Sequence, residues 1–150
     1  MEEDIRWMDE ALKEARKAFD EGEIPIGAVV VAGGRVVGRG HNMTEALTDV
    51  TAHAEMIAIT AAEASCGKYL DKATLYVTVE PCLMCAGAIG WSQLGRIVWG
   101  TDDPRRGFSV LCRKEMSPFH PKASLCKGVR EKECRQLMLD FFLQRRGKNL

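Results

Sequence analysis

Two short motifs contain the residues of this sequence that are best suited to chemistry. Residues 81–85 read Pro-Cys-Leu-Met-Cys, and residues 51–56 read Thr-Ala-His-Ala-Glu-Met. Two cysteines three positions apart can bind a metal ion, form a redox disulfide or fill a core. A histidine two positions before a glutamate offers an imidazole ligand and a carboxylate that can move protons. The other potential ligands in the sequence decide between these interpretations.

A catalytic zinc ion explains the cysteine pair best. A structural zinc site normally has four protein ligands, and the sequence has no second Cys-x-x-Cys pair. His53, Cys82 and Cys85 instead give the three ligands of a catalytic zinc ion, whose fourth position stays open for water. Glu55 would be the catalytic acid and base beside that water. A thiol redox protein that uses the two cysteines is the alternative, because Cys82 follows a strand and begins a helix, as redox cysteines do.

The order of the motifs matches a known catalytic signature. Zinc-dependent nucleobase deaminases combine His-x-Glu with Pro-Cys-x-x-Cys, and the chain has both, as His53-Ala-Glu55 and as residues 81–85. In such enzymes an activated water replaces the exocyclic amine of a base, and ammonia is released. The motifs therefore predict a zinc-dependent hydrolase that deaminates a nucleobase.

The N-terminal part of the chain is predicted to form a helix and a hairpin. Apolar residues at intervals of three and four indicate a first helix that ends near Gly22. Two strands, at 28–32 and 35–38, are separated by Gly33-Gly34, a dipeptide suited to a tight antiparallel turn. An alanine-rich helix with Thr51 as its cap and Gly67 as its end then contains the His-x-Glu motif in its first turn.

The cysteines lie in a strand-helix-strand unit. Strand patterns at 73–80 and 96–100 flank a helix that begins near Pro81, and such a crossover normally makes the strands parallel neighbours. Residues 101–124 are predicted to be a long functional loop with one short helix, before a final helix at 131–146. One face of the final helix contains Cys134, Leu137, Met138 and Phe142. The expected fold class is α/β, a three-layer α-β-α sandwich around a mixed sheet of about five strands.

Composition and charge exclude several protein classes. The 150 residues, 46% of them hydrophobic, suit one compact domain, so residues 1–150 are expected to form a single zinc-dependent deaminase domain. The 21 basic and 21 acidic residues cancel, which argues against an overall electrostatic attraction to nucleic acid or membranes. The sequence has neither a membrane span nor signal-peptide features, and its six cysteines suit a reducing cytoplasm.

The motifs and their surroundings resemble the cytidine deaminase-like superfamily, and most closely its bacterial tRNA-specific adenosine deaminases. The resemblance rests on IPIGAVVV, GRGHN, TAHAEM, LYVTVEPCLMCAGAI, RIVWG and DFFLQRR. It implies one Zn²⁺ per chain bound by His53, Cys82 and Cys85, a proton shuttle at Glu55, and a homodimer.

The resemblance also implies substrate contacts and a substrate class. Asn42 and the backbone at Ala54 would contact the base, and Asp103 would lie near the sugar of the substrate nucleotide. The implied reaction is conversion of adenosine to inosine in the tRNA anticodon loop. Residues 105–124 differ from the loop of the tRNA-acting members, so deamination of free guanine, cytosine or a nucleoside remains an alternative.

Two further groups of residues would support RNA binding. Basic side chains that could contact phosphates are Arg105, Arg106, Arg145, Arg146 and Lys148. Aromatic side chains that could stack on a base are Trp91, Phe108 and Phe119, although packing in the core or a loop explains each more simply.

Overall fold

The computed structural model describes residues 2–113 and 115–148, without the side chain of Lys148. In this part of the chain five helices accompany five strands. They are α1 (Glu2–Asp20), β1 (Gly27–Ala32), β2 (Arg35–His41), α2 (Ala54–Cys66), β3 (Thr74–Val79), α3 (Leu83–Trp91), β4 (Arg96–Thr101), α4 (Phe108–Leu111), β5 (Ser124–Lys127) and α5 (Glu131–Lys148).

The sheet is mixed, as the sequence predicts, with the strand order β2-β1-β3-β4-β5. β1 pairs antiparallel with β2 and with β3, whereas β4 pairs parallel with β3 and with β5. The parallel β3–β4 pair confirms the predicted crossover through α3. The hairpin turn is also confirmed, because Gly33 and Gly34 both have positive φ angles, of 60° and 73°.

Helices cover both faces of the sheet, which confirms the three-layer sandwich. Alternate residues of β1 point to opposite sides, so that Val30 joins the core beneath α2 and α3, while Val29 joins the core beneath α1. α5 also packs on the α1 side, where Cys134 is buried. None of the helices in the described ranges combines the length and the apolar character that a bilayer crossing requires.

Three predictions about the elements are wrong in detail. No strand is predicted at β5, because three of its four residues are exposed and the segment lacks an alternating apolar pattern. The apolar face of α5 includes Phe141 instead of Phe142: the Phe141 ring packs edge-on against Phe19 with centroids 6.0 Å apart, while Phe142 is 43% exposed. β2 continues to His41, three residues beyond its predicted end.

A fourth wrong prediction concerns the cap of α2. Thr51 does not cap this helix, because its hydroxyl donates to Asp49 Oδ1 at 2.7 Å and its N–H to the same oxygen at 2.8 Å. This turn holds Thr51 outside the helix. His53 is the N-cap residue instead, and Gly67 ends the helix as predicted, with a φ of 89°.

Candidate active site

Two helix N-termini bring the predicted metal ligands together. His53 is the N-cap residue of α2 and Cys82 is the N-cap residue of α3; both have extended backbone immediately before the first helical residue. Cys85 lies one turn into α3 and is fully buried. Because the N-terminus of a helix has a partial positive charge, it favours the thiolate form of a cysteine. The fold therefore places Cys82 where a thiolate is stabilised, with the Cys85 thiol and the His53 imidazole beside it.

Glycines in β2 set the position of α2. A Cβ atom at Gly40 would lie 2.6 Å from the carbonyl oxygen of Ala54 and 2.9 Å from the backbone nitrogen of Ala58. The backbone of α2 thus lies directly on the strand, without side chains between them. This contact fixes the first turn of α2, and with it His53 and Glu55, at the end of β2.

The imidazole nitrogen lies at the separation from both sulfur atoms that a shared zinc ion requires. Nδ1 of His53 lies 3.6 Å from Sγ of Cys82 and 3.5 Å from Sγ of Cys85. Zinc bonds of about 2.3 Å to sulfur and about 2.0 Å to nitrogen, at tetrahedral angles, put such donors about 3.5 Å apart. Among the residues that the structure describes, these three form the one cluster of its kind, with all ligand atoms within 4.8 Å of one another. The residues fit a zinc ion with three protein ligands.

The electrostatics of the cluster favour a thiolate at Cys82. A hydrogen bond from the Cys85 thiol, followed by one from His53, lowers the pKa of Cys82 to about 4. The same hydrogen bond and burial raise the pKa of Cys85. The hydrogen bond with Cys82 is the main cause that raises the pKa of His53 above its ordinary value.

Glu55 lies beside this cluster and is not among its ligands. It belongs to the first turn of α2, is 3% exposed, and its carboxyl group interacts with the Cys85 thiol. Burial raises the pKa of Glu55 to about 7. A carboxyl group that titrates near neutral pH can both take up and return a proton during one reaction.

Asn42 directly follows β2, and Ala54 is the first residue of α2. Asn42 is buried; its side-chain N–H donates to the Ile24 carbonyl, and its Oδ1 accepts from the Thr44 N–H, both at 3.4 Å. These bonds are at the long limit for hydrogen bonds. The backbone connects this segment to the start of α2, since the Met43 N–H donates to the Ala52 carbonyl at 2.9 Å. Contact of Asn42 and Ala54 with a base stays a prediction.

Asp103 is half-buried in the loop after β4, and its carboxylate organises that loop. Oδ1 accepts the N–H groups of Arg105 and Arg106, both at 3.0 Å. The loop lies directly against the cysteine motif, because Gly107 pairs with Cys82 in an isolated β-bridge. The structure therefore brings Asp103 near the cluster, and its contact with a sugar stays a prediction.

Two buried glutamates near the site were not singled out by the sequence patterns. Glu80 accepts three hydrogen bonds from the loop after β4, and Glu23 accepts the N–H groups of Glu45 and Ala46 at 3.0 and 2.8 Å. One sequence feature could have identified Glu80: it follows an apolar strand, where burying a carboxylate without hydrogen-bond partners would cost free energy. Each glutamate anchors one of the loops that flank the cluster.

The aromatic side chains of the loop belong to the core. The Phe108 ring packs edge-on against Phe119 and Trp99, at centroid distances of 4.8 and 5.5 Å, and all three side chains are buried. Phe108 and Phe119 are thus occupied by packing, as the simpler interpretation predicts. Trp91 differs, because it is 86% exposed at the end of α3.

Comparison with known protein sequences agrees with this geometry. Residues 1–101 match the family described as the cytidine and deoxycytidylate deaminase zinc-binding region. The chain is 42% identical over 151 residues to the tRNA-specific adenosine deaminase of Bacillus subtilis (strain 168), which covers 99% of this chain and 94% of the relative. The similarity to this relative thus extends over nearly the whole of both chains.

Solved structures show the same kind of similarity. One from a study of A-to-I editing by tRNA:A34 deaminases has a TM-score of 0.81 and 39% identity, covering 88% of this chain and 98% of that chain. A guanine deaminase from Bacillus subtilis has a TM-score of 0.61 and 35% identity, covering 65% of this chain and 63% of that chain. The first of these structures therefore shares more of its length with this chain than the second.

Proposed function

This chain belongs to the cytidine and deoxycytidylate deaminase family of zinc-binding proteins, and we propose that it converts adenosine to inosine in the anticodon loop of tRNA. It is a zinc-dependent hydrolytic deaminase. The observation that supports the reaction most directly is the convergence of His53, Cys82 and Cys85 beside the buried carboxyl group of Glu55. The 42% identity to a tRNA-specific adenosine deaminase supports the substrate.

The protein's own residues supply ligands and proton transfer in this proposal. His53, Cys82 and Cys85 would hold the zinc ion, which when bound supplies a Lewis acid that makes water nucleophilic at neutral pH. Glu55 takes a proton from the attacking water and gives it to the departing amine. One water is consumed, the C–N bond at C6 of adenine is broken, and ammonia leaves as a C–O bond is formed. Burial of Glu55 keeps its pKa suited to both transfers.

Three residues are proposed to orient the nucleoside. The long hydrogen bonds of Asn42 to the backbone of Ile24 and Thr44 can be exchanged for contacts with a base edge at little cost, and the backbone at Ala54 would contact the same base. Asp103 would contact a ribose hydroxyl with the carboxylate oxygen that does not hold the loop. These assignments rest on the resemblance and on the nearness of the residues to the cluster.

The basic residues support RNA binding unequally. Arg105 and Arg106 are exposed on the loop that pairs with Cys82, so they can reach phosphates beside a bound nucleotide. Arg145 is engaged within the protein, because it donates to the Gly22 carbonyl at 2.9 Å and its guanidinium lies over the Phe141 ring. The side chain of Lys148 lies outside the described residues.

The assembly and cellular location are also proposals. We propose a homodimer in which α3 contributes to the interface, because Leu83, Met84 and Trp91 are exposed apolar residues on this one helix. The single sheet supports one deaminase domain over residues 1–150, of which residues 1, 114, 149 and 150 lie outside the described part. A cytoplasmic location suits a tRNA substrate and six cysteines that are free in the structure.

One substrate panel tests the proposal. The purified protein is incubated with a tRNA anticodon stem-loop that contains adenosine at the wobble position, and with adenine, guanine, cytosine and their nucleosides. Inosine formation in the stem-loop and about one zinc per chain are expected. A folded protein that contains no zinc would contradict the metal assignment. A dithiol that titrates at physiological potentials, together with activity that is insensitive to chelators, would favour the redox alternative.

Guanine deamination is the second candidate function. It is favoured by the 35% identity to a guanine deaminase over part of the chain. Ammonia release from free guanine, with no inosine in the stem-loop, would select this candidate instead.

A further inference from the structure

Glu80 connects the loop after β4 to the cysteine motif. It follows β3, immediately before Pro81, and is 4% exposed. Its Oε1 accepts the Asp103 N–H at 3.1 Å, and its Oε2 accepts the Ser109 N–H at 3.0 Å and the Ser109 hydroxyl at 2.6 Å. One carboxylate therefore holds both ends of the segment from 103 to 109.

The held segment is a turn that presents two arginines. Within it, the Gly107 N–H donates to the Asp103 carbonyl at 3.1 Å, and Oδ1 of Asp103 accepts the N–H groups of Arg105 and Arg106. The Phe108 N–H donates to the Pro81 carbonyl at 2.9 Å. The turn thus lies beside the cysteine motif with its backbone fixed, and the side chains of Arg105 and Arg106 extend from it into solvent.

We propose that Glu80 is a positioning residue, which holds Arg105 and Arg106 beside the zinc ligands so that their guanidinium groups bind the phosphates next to the target nucleotide. This inference rests on the proposed function, because free guanine or cytosine has no phosphate. Two guanidinium groups on a fixed turn lose less conformational freedom on binding than two on a mobile loop. The loop would thereby increase the affinity for a nucleic-acid strand, but not for a free base, which has no phosphate.

Only a carboxylate satisfies all three donors at position 80. A glutamine has one accepting oxygen, and its amide nitrogen would face an N–H donor of Asp103 or of Ser109. Glycine at position 107 allows the close approach, because a Cβ there would overlap the Glu80 carboxyl group. Glu80→Gln therefore releases one end of the turn while it keeps the volume of the side chain.

Asp4 gives a matched control for the loss of a buried carboxylate. It is 8% exposed and also accepts three hydrogen bonds, from the Tyr76 hydroxyl and from both terminal nitrogens of Arg96. It lies in α1, on the other side of the sheet from α2 and α3. Asp4→Asn therefore tests whether any effect of Glu80→Gln is only a loss of stability.

The experiment measures zinc content and the kinetics of stem-loop deamination at several salt concentrations. Glu80→Gln is expected to keep its zinc, to raise KM about tenfold, and to change kcat by less than about threefold. The plot of log affinity against log salt concentration should become less steep, by about 0.7 for each phosphate contact that is lost on a single strand. The double variant Arg105→Ala/Arg106→Ala should show the same changes. Asp4→Asn should lower the thermal midpoint and leave KM and the salt slope unchanged.

A double-mutant cycle decides whether Glu80 acts through the arginines. Added to Arg105→Ala/Arg106→Ala, Glu80→Gln should change KM by less than about twofold, because its effect has already been removed. An undiminished effect in that background, loss of zinc, or a KM and salt slope equal to those of the wild type would overturn the proposal. Ser109→Ala, which removes only the hydroxyl bond, is the milder variant if Glu80→Gln does not fold, and a smaller rise in KM is expected. A wild-type protein that neither binds nor deaminates the stem-loop would overturn the proposed function together with this one.

Discussion

At the residue scale, the proposed mechanism divides metal binding and proton transfer between different side chains. The His53 nitrogen is at the separation of zinc ligands from the sulfur atoms of Cys82 and Cys85, and all three atoms lie within 4.8 Å of one another. The Glu55 carboxyl group is next to them, but it is buried and has a pKa of about 7, which is unusual for a glutamate and suits an acid and base. The two tasks can therefore be removed one at a time by substitution.

Glu55→Gln is expected to keep about one zinc per chain and to lower kcat by about 10²–10⁴-fold, because an amide neither takes up nor releases a proton near neutral pH. Zinc content by elemental analysis and single-turnover inosine formation are the measurements. Cys82→Ser should behave differently and lose zinc, while Cys66→Ser, at an exposed cysteine outside the cluster, should keep both zinc and activity. Loss of zinc from Glu55→Gln would show that its assignment as a proton shuttle is wrong.

A second prediction at this scale concerns Asp4 and pH. The hydrogen bond from Arg96 is the main cause that lowers the pKa of Asp4 from 3.8 to about 2 in the folded protein. A group whose folded pKa is lowered stabilises the fold above its unfolded pKa, and this contribution is lost as the pH falls through the folded pKa. Asp4→Asn should thus lower the free energy of unfolding by about 2 kcal/mol at pH 7, and by about half as much at pH 3.

Urea unfolding of the wild type and Asp4→Asn at pH 7, 5 and 3 checks this prediction. The difference between the two proteins should be equal at pH 7 and pH 5, because both values lie above the unfolded pKa of the group. A difference that grows between pH 5 and pH 3 has the opposite sign and would contradict the role of the Asp4–Arg96 pair.

At the element scale, the sequence predicts those helices and turns that are determined by hydrophobic periodicity and by Gly and Pro residues. The hairpin follows from Gly33-Gly34, and the α2 and α3 helices follow from their composition and from Gly67 and Pro81. The Thr51 cap is wrong because Asp49, two residues earlier, binds the same hydroxyl and N–H. N-cap preferences rank Thr51 above His53, and the turn formed by the Asp49–Thr51 hydrogen bonds reverses that order in the structure.

The residues that hold the site in place are harder to predict from sequence patterns than the residues that could do its chemistry. His53, Cys82 and Cys85 are found from their types and spacing. Glu80 is not, because its partners come from a loop more than twenty residues later and have no periodic pattern. β5 is missed for a related reason: its pairing with β4 supplies backbone hydrogen bonds that do not need an apolar pattern.

The contact of α2 with β2 gives a prediction at this scale. Gly40→Ala would place a Cβ 2.6 Å from the Ala54 carbonyl oxygen, so the first turn of α2 must move. We expect a loss of about 1–3 kcal/mol in the free energy of unfolding and weaker zinc binding, since His53 moves with that turn.

Chemical unfolding and a competitive zinc titration with a chromophoric chelator measure the two effects. Gly147→Ala in α5 is the control, because a Cβ there meets no atom of the described residues within 4 Å; zinc affinity should stay unchanged and the free energy of unfolding should not fall. Unchanged zinc affinity in Gly40→Ala would mean that the glycine contact does not position His53.

At the scale of the whole molecule, the two faces of the sheet have different tasks. The α2 and α3 side contains the zinc ligands, Glu55 and the anchored loop. The α1 and α5 side contains a second apolar core, the Asp4–Arg96–Tyr76 contacts, and a groove between α1 and α5 that is lined by Arg16, Lys132, Glu133, Gln136, Leu137 and Asp140. Association of two chains through α3 would therefore occur on the side that performs the reaction.

Trp91 offers the sharpest test of that association. It is 86% exposed at the end of α3, and an exposed tryptophan of this kind is common at the centre of an interface and costly to leave in water. Trp91→Glu should weaken self-association at least tenfold, as measured by sedimentation over a range of protein concentrations. The isolated chain should keep its zinc, because Trp91 is not one of the candidate ligands, His53, Cys82 and Cys85.

Leu143→Glu is the matched control, since Leu143 is also an exposed apolar residue on a helix but lies in α5. It should associate like the wild type. If the Leu143 variant dissociates and the Trp91 variant does not, the second chain binds the α5 side instead. If the wild type is a monomer at all concentrations, the homodimer is contradicted, and deamination by that monomer would show that one chain is sufficient for the site.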